Sequence, residues 1–175
     1  MGDKRDKFLF FWGHRPERDG TIGRGCLSQW WPAASEVDGV RFATAEHYMM
    51  WRKAKLFEDD DRAEQILQAA HPAQAKDLGR TVRGFDPELW EAHRYDIVLA
   101  GSVAKFGQNP DLRAYLLGTG QRVLVEASPL DAVWGIGLTA DDPRAEDPTR
   151  WPGLNLLGRA LGQTRDILSV QHPTA

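Results

Sequence analysis

Apolar residues along this chain recur mostly at spacings of three and four, and alternate with polar ones only in short stretches. The first pattern predicts helices and the second strands. KFLFFW, residues 7–12, is aromatic-rich and predicts a strand. SEVDGVRFAT, residues 35–44, predicts a hairpin, because Asp38-Gly39 is a strong turn pair between β-branched and aromatic neighbours. Thr44 then offers an N-cap to a helix in ATAEHYMMWRKAKLF, residues 43–57. Residues 59–70 place Ala63, Ile66, Leu67 and Ala70 at helical spacing, and Pro72 breaks that run. PAQAKDLGR predicts a short helix ending at Gly79 as its C′ glycine. The longest helix is expected over residues 86–108, capped by Asp86 with Pro87 in its first turn. A helix in PDLRAYLLGTG, a strand over 122–128 and a last helix over 154–168 follow, while residues 14–25 and DDPRAEDPTRWPG read as loops. The sum is mostly helix with a few short strands. Strands and helices do not alternate regularly, which argues against a doubly wound sheet.

The length of 175 residues predicts one domain, 1–175, with room for a substantial core. Hydrophobic residues at 42% and charged ones at 27% place the chain among globular proteins. A net charge of −3 excludes a strongly basic nucleic-acid coat and leaves room for a local basic pocket. Seven tryptophans offer either a Trp-rich core or stacking surfaces for a planar ligand. Cys26 is the only cysteine, so neither an intrachain disulfide nor a cysteine-based zinc site can form, and a buried inert thiol is expected. The five histidines lack tight ligand spacing, so no metal and no cofactor is expected. The apolar run near the N-terminus is too short for a signal-peptide core or a membrane span, and Asp6 stands where myristoylation needs Ser or Thr. A soluble cytoplasmic protein without a membrane partner is the expectation.

Glycine patterns carry little chemistry here. GTIGRG does not sit between a clear strand and a helix, and WGIG at 134–137 lacks the Lys-Ser/Thr of a phosphate loop, so both read as turns. Charged residues beside aromatics say more. Glu46 and Lys53 lie seven residues apart, two turns of one helix, with Met49, Met50 and Trp51 between them. Glu46 has a bland explanation, since an acid in the first turn suits the helix dipole, and Lys53 can simply snorkel along apolar surface. Trp90 falls in phase with Asp86, His93 and Arg94 on the long helix, and Asp131 sits in SPLDAVWGIG, after a strand and before a glycine turn.

Together CLSQWWPA, ATAEHYMMWRKAKLF, LGRTVRGFDPELWEAHRYDIV, AKFGQNPDLRAYLLGTG, LVEASPLDAVWGIG and NLLGRAL stand in the order expected of the YbiA-like, or NADAR, family. The chain resembles it over residues 9–168. That resemblance implies a single mainly helical α+β domain and cleavage of N-glycosidic bonds. One branch of the family hydrolyses phosphoribosylamino-pyrimidine intermediates of riboflavin synthesis, and another acts on ADP-ribose attached to guanine. The partners implied are thus a phosphoribosyl or ADP-ribosyl small molecule, with ADP-ribosylated nucleic acid admitted. By motif, Glu46, Asp131 and Lys53 map onto family residues expected to be catalytic, and Trp90 onto a substrate-binding one. Some relatives carry Gln where this chain has Met50, a difference that bears on substrate choice.

The chemistry suits these residue types. Breaking a ribosyl C–N bond builds positive charge on the sugar, which a carboxylate stabilises or answers by deprotonating the attacking water. A lysine serves either as a point-charge clamp or as a Schiff-base amine at C1, which needs a desolvated, lowered pKa. A tryptophan face stacks on the base, and Arg24, Arg80, Arg83 and Lys105 are candidates to hold phosphate. A non-catalytic module binding ADP-ribose or a nucleotide would use the same aromatic and basic set. It gains little from carboxylates beside an anion, so Glu46 and Asp131 favour the enzyme. A purely structural interaction protein leaves the charges in apolar motifs unexplained.

Overall fold

Each strand and helix read from the pattern forms, with its ends moved by a few residues. The computed structural model describes residues 7–171. Its strands are β1 (Phe8–Phe11), β2 (Ser35–Val37), β3 (Val40–Phe42) and β4 (Val123–Glu126). Its helices are α1 (Ala45–Leu56), α2 (Asp60–Leu67), α3 (Pro72–Arg80), α4 (Pro87–Gln108), α5 (Pro110–Gly118) and α6 (Leu156–Gln171). Short 3-10 turns at Arg24–Leu27 and Pro148–Arg150 add local order to the two loops. The fold is α+β and mainly helical. The chain divides into two units, one built from the described residues up to Ser28 and from Pro110 onward, the other from Gln29–Asn109.

In the first unit β1 and β4 pair in parallel, with Phe8 opposite Val123 and Phe11 opposite Glu126. Phe8, Val125, Ile136, Leu138 and Ala145 form a core cluster, against which Phe10 and Trp151 pack. Asn155 holds α6 to β4. Its side-chain oxygen accepts the Glu126 N–H at 3.0 Å and its amide donates to the Leu124 carbonyl at 3.0 Å. One amide side chain thus stands in for a neighbouring strand residue. Asn155 adopts φ +51°, a left-handed conformation that Asn tolerates better than most residues.

In the second unit the β2–β3 hairpin turns at Asp38 and Gly39, both with positive φ (51° and 78°), as an Asp-Gly hairpin turn requires. Gln108 at the end of α4 pairs with both backbone groups of Glu36 (2.8 and 2.7 Å), seating β2 on that helix. α1 packs against α2, α3, α4 and β3, and every residue from Ala45 to Met50 is buried. Two glycines permit that crowding. A Cβ at Gly79 would strike the Met50 side chain, and one at Gly101 would meet the Tyr48 ring at 2.5 Å. Gly79 therefore differs from its expected role. It does not end α3, which continues to Arg80, but lies buried inside it where that helix touches α1. Packing, not backbone conformation, accounts for this glycine.

Thr44 caps α1 as expected, its hydroxyl oxygen accepting the His47 N–H at 3.3 Å. The same hydroxyl lies 2.8 Å from His47 Nδ1, while Nε2 lies 3.0 Å from the Ala69 carbonyl. A carbonyl only accepts, so Nε2 carries the proton and Nδ1 accepts from Thr44. Burial lowers the His47 pKa and keeps the ring neutral.

Candidate active site

Glu46 sits in the first turn of α1 and is 4% exposed. Its own N–H, one of the helix-start donors without an intrahelical partner, donates to the Gln29 carbonyl at 3.0 Å. Two turns on, Lys53 is half-buried. Its Nζ lies 4.5 Å from the Phe85 ring centre and 5.5 Å from that of Trp90. Burial lowers the Lys53 pKa below the ordinary lysine value, and the Glu46 carboxylate pulls it part of the way back. An amine in this setting spends more time neutral, hence nucleophilic, than one in water. The spacing read from the sequence is thus realised as one electrostatic unit with an aromatic surround.

Trp90 stands one turn into α4, its N–H donating to the carbonyl of the cap residue Asp86 at 3.0 Å. Phe85, which the sequence reading passed over, is nearer to the amine than Trp90. A signal for it exists: an apolar residue just before an Asp-Pro helix start and another at the helix's fourth position form a hydrophobic staple pattern. Met50, one turn after Glu46, is buried against Gly79 of α3.

The four phosphate candidates find different settings. Arg83 donates through Nε and Nη2 to Asp59 Oδ1 (3.2 and 2.7 Å) and through Nη2 to Asp61 (2.9 Å). Those contacts hold the Asp59 carboxyl well below the usual carboxylate range. Lys105 is buried, with its Nζ 5.0 Å above the Phe106 ring. Arg80 is exposed and meets only the equally exposed Asp77 at 3.1 Å among the ion pairs of the described residues. Arg24, in the first unit, is exposed and donates to the Phe10 carbonyl at 3.3 Å. Asp131, also in the first unit, is half-buried. Its Oδ1 accepts from the N–H groups of Val133 and Trp134, both at 2.8 Å. This is the turn-forming role open to an Asp in such a loop, and it fixes one carboxylate oxygen.

A cavity of about 520 Å³ in the first unit is lined by Phe10, Ala140, Asp141, Asp142, Pro143 and Glu146. One of its carboxylates, Asp142, is held by a forked pair with the Arg144 guanidinium, at 3.0 and 2.8 Å. No group of metal-binding side chains occurs among the described residues, and no helix there is long and apolar enough to cross a membrane.

A model of the NADAR domain matches residues 10–169. The chain belongs to the NADAR family. It is 43% identical to N-glycosidase R617 of Acanthamoeba polyphaga mimivirus, over 92% of this chain and 96% of that protein. It is 36% identical to maize riboflavin biosynthesis protein PYRR over 73% of this chain, which spans 20% of that longer protein. Its fold matches the NMR structure of Escherichia coli YbiA with a TM-score of 0.74 at 28% identity, covering 95% of this chain and 87% of that one. Such similarity over most of the chain makes this NADAR protein a hydrolase of N-glycosyl bonds.

Proposed function

We propose that this enzyme cleaves the C–N bond of a phosphoribosylamino-pyrimidine, a riboflavin-pathway type of intermediate, or of a related ADP-ribosyl-linked base. The observation that carries the reading is the Lys53 amine, desolvated, electrostatically coupled to the buried Glu46 and faced by the Phe85 and Trp90 rings. The name of the maize relative supports the riboflavin side. In an N-ribosylamine the sugar ring opens to an imine between C1 and the exocyclic nitrogen. The free Lys53 amine adds to C1, and a proton passes to the departing nitrogen. The C1–N bond breaks, and the base leaves as an amine. Water then hydrolyses the lysine imine, restoring the amine and releasing the sugar. Net, one water is consumed per bond broken. Glu46 carries the protons between these partners, and Trp90 lies against the base. Arg80, whose guanidinium group stays exposed, takes the phosphate in this reading. Asp131 keeps a proposed catalytic role on its motif match alone.

Incubation with each substrate class, measuring ribose 5-phosphate and ADP-ribose release, identifies the bond cleaved. Borohydride added during turnover traps the imine as a mass adduct on Lys53 that survives denaturation. Turnover without an adduct, combined with a raised KM and retained kcat in Lys53→Ala, makes Lys53 a phosphate clamp instead.

A further inference from the structure

Phe85 is a large apolar side chain left 44% exposed, on the short connection between α3 and α4. One ring neighbour is Phe57, at 5.3 Å between centres and 65° between planes. Another is the Lys53 amine at 4.5 Å. The connection is not left to wander. Asp59, itself 3% exposed, accepts the Arg83 backbone N–H at 2.8 Å as well as two side-chain N–H groups of the same residue. A backbone bond and a forked guanidinium contact on one carboxylate fix position and direction together. They do so two residues before Phe85. A firmly held, half-exposed aromatic ring beside a reactive amine is what a flat ligand needs, and covering it removes apolar surface from water.

From this we infer that Phe85 is a base-contacting residue of the site and that Arg83, held by Asp59, is the residue that positions it. The inference rests on the reading of Lys53 as the reacting amine. The competing explanation is a hydrophobic staple, Phe85 before the Asp86 cap packing towards Trp90. The two differ in what they ask of the ring. A staple needs apolar bulk, which leucine supplies. A stacking contact needs a flat face, which leucine lacks.

The test takes whichever of the two substrates the wild-type enzyme cleaves, with its base-free product, ribose 5-phosphate or ADP-ribose, as competitive inhibitor. Phe85→Leu is expected to raise KM about tenfold, within the range for losing one base–aromatic stack. Its Tm and its Ki for the base-free product should stay at the wild-type values. Phe85→Tyr restores the flat face and recovers most of the lost affinity. Arg83→Lys, which loses the fork, shifts KM in the same direction as Phe85→Leu, again without moving Ki. An unchanged KM in Phe85→Leu, or KM and Ki rising together, overturns the inference. Lys53→Ala separates the two levels. If it is inactive while Phe85→Leu behaves as wild type, only the Phe85 assignment fails. If Lys53→Ala keeps its activity, the reading of Lys53 as the reacting amine fails, and this inference falls with it.

Discussion

Glu46 and Asp59 are both buried carboxylates near the starts of neighbouring helices, 4% and 3% exposed, yet their surroundings differ in kind. Asp59 receives the Arg83 backbone N–H, a forked guanidinium and, as the cap of its own helix, the N–H of the third helical residue, Arg62. Its charge is met from several directions, which secures a loop and leaves the group little to do chemically. Glu46 bears electrostatically on Lys53, an amine whose burial works against its protonation. A matched charge builds structure. A charge shared with a reluctant partner keeps protons available to move. Burial is nearly equal at the two sites, so burial alone does not separate a loop-securing carboxylate from one that bears on a desolvated amine.

The strongest break of this comparison exchanges the amides. Glu46→Gln should lower kcat by about 10²–10⁴-fold, the usual worth of a positioned acid–base group, with Tm nearly unchanged. Asp59→Asn should do the reverse, lowering Tm by about 2–4 °C or more while kcat largely survives. Parallel melts and steady-state kinetics read both. Equal losses of Tm in the two variants would make Glu46 a structural acid like Asp59.

Next in size is the packing against α1, the helix that carries Glu46. Gly79→Ala or Gly101→Ala should cost about 1–3 kcal/mol by denaturant unfolding, because each Cβ meets a side chain of α1. His47, beside Glu46, gives a smaller and pH-dependent effect. Its folded pKa lies below the ordinary 6.5, so the fold prefers the neutral ring. The unfolded chain binds the extra proton first. Stability is therefore full above pH 6.5, falls as pH drops below it, and levels off below the folded pKa. Denaturant midpoints across this window should show the slope, and His47→Gln should flatten it. The smallest stability effect is expected from Arg80→Ala, under about 0.5 kcal/mol, since an exposed ion pair contributes little. A raised KM in that variant would sharpen its assignment to the phosphate.

The sequence by itself determined the elements, because their signals are local. Thr44 and Asp86 announced two helix starts, Asp38-Gly39 a turn, and the ordered motifs the family and its chemistry. It also determined that an acid and a lysine share one face of α1, since helical periodicity turns a spacing of seven into proximity. It did not determine which charges would be consumed by partners. Arg83 read as readily for phosphate as Arg80 did, and only folding brings Asp59, 24 positions earlier, against its backbone and guanidinium. Gly79 looked like a helix end until α1 was seen to press on it. Phe85 gained meaning only when the amine of Lys53, 32 positions away in the chain, came to lie over its ring. Capping and periodicity act within a few residues, while desolvation, steric exclusion and charge pairing depend on what is close in space, so the first could be read along the chain and the second required the tertiary structure.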